Sequence, residues 1–174
     1  KLKIAPVLKS NAYGHGLIEV VQILDRQNAP FFCVDSLHEA YRLQKAGIKT
    51  PILIMGYINP ANLQVKRLPF AYAIYNLEVA EVLNKYQPEA AVHIKVDTGM
   101  HRLGVPLTEL EQFITQVQQL PNLKIEGLMS HFASAKSVQD PLFKKQVQNY
   151  KKALQIAKKC GLNPKWRHIS ATEA

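Results

Sequence analysis

Residues 7–16 read Val-Leu-Lys-Ser-Asn-Ala-Tyr-Gly-His-Gly. Lys9 ends an apolar run, and Tyr13 follows four residues later in a turn loosened by Gly14 and Gly16. An amphipathic helix is predicted from Leu17. An amine leaving a strand top beside the amides of a helix N-terminus suits an aldehyde that carries a phosphate. The amine can form a Schiff base, while the turn and the tyrosine hydroxyl hold the phosphate. The amine must be neutral to attack. A lone strand-end lysine is ordinarily a surface residue with its stem along apolar neighbours, so this chemistry needs support from the rest of the chain.

A second group of residues supplies it. His93, Lys95 and Asp97 alternate with Val92, Ile94 and Val96. Parallel strands are normally apolar on both faces, so this polar face demands buried partners. A polar layer near a barrel mouth would provide them, as would a structural salt-bridge network. The strand runs into Asp-Thr-Gly-Met-His-Arg-Leu-Gly, residues 97–104, which places Arg102 seven residues after Lys95 on a loop with two glycines. A guanidinium there can fork onto a carboxylate or a phenolate oxygen. Two further segments are Met-Ser-His-Phe-Ala-Ser, around His131, and Arg-His-Ile-Ser-Ala-Thr-Glu-Ala, residues 167–174.

The elements that must position these groups alternate along the chain. Strands are predicted at Ile4–Lys9, Phe31–Asp35, Pro51–Met55, Ala71–Tyr75, Ala91–Asp97, Leu123–His131 and Trp166–Ser170. Amphipathic helices are predicted at Leu17–Arg26, Leu37–Ala46, Leu77–Tyr86, Leu107–Gln119 and Asp140–Cys160. This alternation means a parallel sheet with helices outside it. An open nucleotide-binding sheet would need a third glycine after Gly14 and Gly16 and an acid about 20 residues on. A barrel typically needs about 250 residues, so 174 residues fit a barrel lacking its last unit. Barrels place their chemistry at the carboxyl ends of the strands, where Lys9, His131 and Thr172 fall. Pro6 is out of place in a central strand because it lacks an amide hydrogen.

Composition is globular, 47% hydrophobic and 20% charged. No apolar stretch reaches the roughly 20 residues of a membrane span. Two unpatterned cysteines, Cys33 and Cys160, point to a reducing, cytoplasmic setting. The net charge of +9 raises nucleic acid as a partner. Its lysines are dispersed, however, and the pairs 144–145, 151–152 and 158–159 recur every seven residues on one helix. That is a solvated face, and no nucleic-acid partner is expected.

The four segments, in matching order, resemble the alanine racemases. The resemblance implies an α/β fold, a TIM-type (β/α)8 barrel domain, with about seven units within residues 1–174. The last barrel strand and a C-terminal β domain would lie outside this chain. It implies pyridoxal 5'-phosphate as cofactor, with Lys9 carrying it and serving as one base, and Tyr13 on its phosphate. Arg102 would contact the cofactor's phenolic oxygen and the substrate side. Lys95 would be the lysine often carbamylated in the family, orienting Arg102; otherwise an acid such as Asp97 must separate the two cations. His131 would lie beside the cofactor ring, with His168 supporting. Thr172 would replace a phosphate-binding serine, and Ala171 an asparagine. His15, His38 and His101 receive no role, and no metal ligands are assigned. The implied reaction is interconversion of L- and D-alanine by two-base proton transfer at Cα, supplying peptidoglycan, in a full-length homodimer. The alternatives are a non-catalytic pyridoxal-phosphate-binding barrel and a racemase of serine or a basic amino acid.

Overall fold

A computed structural model describes residues 2–171. The chain divides into two compact units, Lys1–Ala73 and Ile74–Ala174. In the first, helix α1 (Leu17–Leu24) precedes strand β1 (Phe32–Val34), helix α2 (Leu37–Lys45), strand β2 (Ile52–Ile54) and all but the last residue of strand β3 (Ala71–Ile74). The three strands pair in parallel, Phe32 opposite Ile52 and Leu53 opposite Ala71. Every residue of β1 and β2 is buried, as expected of strands covered on both faces. Ser36 caps α2 by accepting from the Glu39 amide at 3.3 Å. Between β2 and β3, Pro60–Leu63 forms one short 3₁₀ turn.

The predicted first strand, Ile4–Lys9, reduces to a single parallel bridge between Val7 and Cys33. The Cys33 amide donates to the Pro6 carbonyl and the Leu8 amide to the Cys33 carbonyl, each at 2.8 Å. Pro6 has no amide to extend the ladder, and Leu2 and Ile4 are exposed. Pairing stops after Leu8 because the chain turns at Lys9.

In the second unit, helix α3 (Leu77–Tyr86) is capped by Asn76, whose side chain accepts from the Val79 amide. Strand β4 (Ala90–Asp97) follows, then the two-residue strand β5 (Val105–Pro106), helix α4 (Leu110–Gln118), strand β6 (Leu123–His131), helix α5 (Pro141–Lys159) and strand β7 (Trp166–Ser170). β4, β6 and β7 lie side by side in parallel, with a register shift at Val92/His93. β5 was not anticipated. It pairs with the end of β4, Val96 opposite Val105, and so returns the Arg102 loop to the strand that launched it.

Helix α5 buries Gln146, Tyr150, Ala153 and Ala157, a stripe at helical spacing. Lys144, Lys145, Lys151, Lys152, Lys158 and Lys159 are all exposed, which is the solvated face the repeat implied. Cys33 and Cys160 are free thiols. Among the described residues no helix is long and apolar enough to cross a membrane.

Candidate active site

Lys9 opens one helical turn, Lys9–Tyr13, that winds left-handed. Ser10, Asn11, Ala12 and Tyr13 have φ of 54°, 57°, 52° and 54°. Each L-residue wound this way costs roughly 1–2 kcal/mol, so the turn depends on its bonds. The Ala12 amide donates to the Leu8 carbonyl at 2.8 Å, and Gly14 and Gly16 donate to Ser10 and Asn11 at 3.1 and 3.0 Å. Asn11 Oδ1 accepts from the Leu17 amide at 3.0 Å, taking one of the amides expected to meet a phosphate. Glu39 reaches over from α2: Oε1 accepts from Ser10 at 2.7 Å and Oε2 from Asp35 at 2.8 Å. Ala12 is buried against the interior. Lys9 is left half-buried and Tyr13 exposed, an amine and a phenol at the two ends of one turn.

In the second unit, β4 presents His93 and Lys95 buried and Asp97 half-buried. His93 Nδ1 meets His168 Nε2 at 2.8 Å. Burial, then the neighbouring His168, pushes His93 down to about 3, and burial pushes His168 down to about 4. The pair is therefore neutral at ordinary pH, one nitrogen donating and the other accepting.

Asp97 turns its carboxylate to the loop that follows. Oδ1 accepts from the amides of Gly99, Met100 and His101 at 2.9, 3.0 and 3.1 Å, and His101 Nδ1 lies 3.3 Å from Oδ2. Burial raises the Asp97 carboxyl, but the three amides and His101 outweigh it and hold it below its ordinary value. At the far end Gly104 has φ of +147°, and a Cβ there would sit 2.5 Å from the Asp97 nitrogen. The loop carrying Arg102 is thus fastened at both ends, and Arg102 itself is exposed. His101, to which no role was given, serves in this fastening.

A buried polar network joins this loop to the end of β6. Thr98 Oγ1 and Ser130 Oγ lie 2.8 Å apart, and Ser130 Oγ donates to the Val96 carbonyl at 2.8 Å. Gln146, fully buried on α5, donates to Thr98 Oγ1 at 3.4 Å and to the His131 carbonyl at 3.1 Å. Its Oε1 accepts from the Ala133 amide at 2.9 Å. Asn149 donates to the Thr98 carbonyl at 2.9 Å. His131 ends β6 half-buried.

Among the sequence-predicted residues, Lys9 and Tyr13 share one turn, and His168 meets His93. Lys95 and Arg102 differ in environment, one buried and one exposed. Thr172 lies outside the described residues. Glu39 and Gln146 were not singled out. The first is the acid of a Ser-x-x-Glu cap signature, and the second is a polar residue inside an apolar helical stripe.

The sequence pattern of the alanine racemase N-terminal domain matches residues 1–174. An alanine racemase of Citrifermentans bemidjiense is 36% identical over 97% of this chain and 47% of its own length. Among solved structures, alanine racemase of Clostridium difficile superposes with a TM-score of 0.93 at 31% identity, covering 99% of this chain and 49% of that one. Alanine racemase of Bacillus anthracis, solved with bound L-Ala-P, gives 0.89 at 32% identity, covering 99% of this chain and 46% of that one. The chain spans about half the length of the relatives it matches. Its parallel α/β fold is that of their N-terminal TIM-type barrel domain, present in part, rather than an open nucleotide-binding sheet. With the fold, the order of the elements and the whole of residues 1–174 in agreement, the chain belongs to the alanine racemase family, as its N-terminal domain.

Proposed function

We propose that this chain is the cofactor-bearing half of a pyridoxal-phosphate-dependent racemase acting on alanine. The observation that carries the reading is the left-handed turn, which sets an amine at Lys9 and a phenol at Tyr13 in a family of alanine racemases. The donor set suits the cofactor. An amine and a phenol stand on one turn, and the second unit offers a half-buried imidazole and an exposed guanidinium at its strand ends.

When bound, pyridoxal phosphate supplies the electron-withdrawing ring that makes an amino acid's Cα proton labile. Lys9 Nζ would hold the group, and as a free amine it would take or return the proton on one side of Cα. Tyr13 would donate its hydroxyl hydrogen to the phosphate, a role the family resemblance also assigns to Thr172. His131 would lie on the cofactor side of the strand end, and Arg102 would offer its fork to a phenolate or a substrate carboxylate. Lys95, in the carbamylated form the resemblance implies, would orient Arg102, while the His93–His168 pair would support the strands behind the site. Racemisation also needs a base on the opposite side of Cα, which we assign to the remaining half of the protein in a homodimer.

The test is the full-length protein loaded with pyridoxal phosphate. Visible absorbance of the bound cofactor and racemisation of L-alanine are expected, and Lys9→Ala should abolish both. A retained band would assign the anchor to another lysine. Faster turnover of serine or a basic amino acid would move the substrate while keeping the cofactor. Cofactor binding without turnover of any amino acid would favour the carrier alternative.

A further inference from the structure

We propose that Glu39 is the positioning residue for Lys9, holding the left-handed turn from the neighbouring helix. The inference rests on the reading of Lys9 as the cofactor's anchor. A Ser-x-x-Glu sequence at a helix start ordinarily returns the glutamate to the cap residue's own amide. Here Ser36 accepts from the Glu39 amide as expected, but the carboxylate passes its usual target. One oxygen takes the Asp35 amide, just beyond β1, and the other takes the Ser10 amide, the first residue after Lys9. The contact with Ser10 spans 29 residues of sequence.

The consequence for Lys9 is geometric. Its own carbonyl and the Ser10 amide belong to one planar peptide, so fixing that amide fixes where the lysine backbone ends. Ser10 to Tyr13 all lie in a region that L-residues disfavour, and the chain would relax to a right-handed or extended path without a restraint. Glu39 restrains the turn from outside it: among the described residues the other hydrogen bonds of Ser10–Tyr13 run within residues 8–17, and the Leu8–Cys33 bond holds the chain only up to Lys9. Charge-assisted bonds to backbone amides are stronger than neutral ones. Glu39 therefore joins the residue after β1 to the residue that follows Lys9.

The experiment uses the full-length, cofactor-loaded protein with Glu39→Ala, Glu39→Gln and Ser36→Ala. Glu39→Ala should lower kcat about 10- to 100-fold with a much smaller change in KM. It should also alter the visible circular dichroism of the bound cofactor. In the cofactor-free protein the Ser10 amide should exchange at least 10-fold faster with deuterium. Glu39→Gln keeps one acceptor oxygen and should fall between wild type and alanine; it also serves if the alanine variant does not fold. Ser36→Ala weakens the cap without touching the carboxylate, and should lower thermal stability with kcat unchanged. Wild-type kcat and wild-type Ser10 exchange in either Glu39 variant would overturn the proposal. So would lost stability with unaltered kcat, which would make Glu39 a helix cap only. Lys9→Ala separates the premise: activity surviving there defeats the anchor reading, whereas an inactive Lys9→Ala beside a fully active Glu39→Ala defeats this proposal alone.

Discussion

The imidazole of His93 fills the space that a side chain on Gly127 would need. A Cβ built on Gly127 would lie 2.4 Å from both Cγ and Nδ1 of His93. The two residues face each other across β4 and β6, at the step where the register shifts. The glycine is thus required by close approach and not by its own backbone. Gly127→Ala should push the ring off His168 and cost about 1–3 kcal/mol, the usual range for overpacking. Adding His93→Ala should recover part of that loss, because contacting residues are not additive. Urea unfolding of the two single variants and the double variant decides it, and strictly additive losses would refute the contact.

The His93–His168 pair also sets an acid limit. Both are held below the ordinary histidine value of about 6.5, at about 3 and about 4. As pH falls below 6.5 the unfolded chain takes up protons first, so stability is full above that pH and declines toward the folded values. The steepest decline is about 1.4 kcal/mol per pH unit for each histidine. Unfolding free energies measured from pH 7.5 to 4.5 should show it. His93→Asn, which can keep a neutral partner for His168, should make the slope shallower, and an unchanged slope would remove His93 from the account.

Gln146→Leu should destabilise by about 2–4 kcal/mol, because it removes the acceptor of the Ala133 amide and a donor to the His131 carbonyl. Chemical denaturation measures this directly. A loss under 1 kcal/mol would mean that water replaces the side chain.

Arg102→Lys should reduce kcat/KM about 10- to 100-fold in the full-length protein, the scale of a hydrogen bond to a charged group. Because Arg102 is exposed, the melting temperature should stay within a degree or two. Wild-type kinetics would return Arg102 to the surface.

Periodicity and turn chemistry made most of this fold legible. The sequence pattern predicts the long helix over Asp140–Cys160, and Asp140 and Cys160 are its two caps. The alternation of His93, Lys95 and Asp97 gave away a buried polar face. What could not be read depends on backbone handedness or distant partners. Ile4–Lys9 has the composition of a strand, yet only Val7 bridges. The helix expected from Leu107 begins at Leu110, since the chain first pairs Val105–Pro106 with β4. From sequence, Asp97 is only one of two ways to separate Lys95 from Arg102, and the three amides that its carboxylate accepts from are displayed by no side-chain pattern. Glu39 and Gln146 act across 29 and 48 residues respectively, beyond the reach of any local rule.

The turn after Lys9 reverses the ordinary rules of residue replacement. In a right-handed helix alanine is favoured and glycine is a defect. From Ser10 to Tyr13 the backbone traces the mirror image of that helix, so a methyl group is the burden and its removal the relief. Branched residues such as valine at position 10 or 12 should be rejected, while glycine at either position and asparagine at the exposed position 10 should be accepted. A programme of helix-strengthening substitutions would damage the protein here, whereas a D-residue at exposed position 10, introduced by chemical synthesis, should relieve backbone strain.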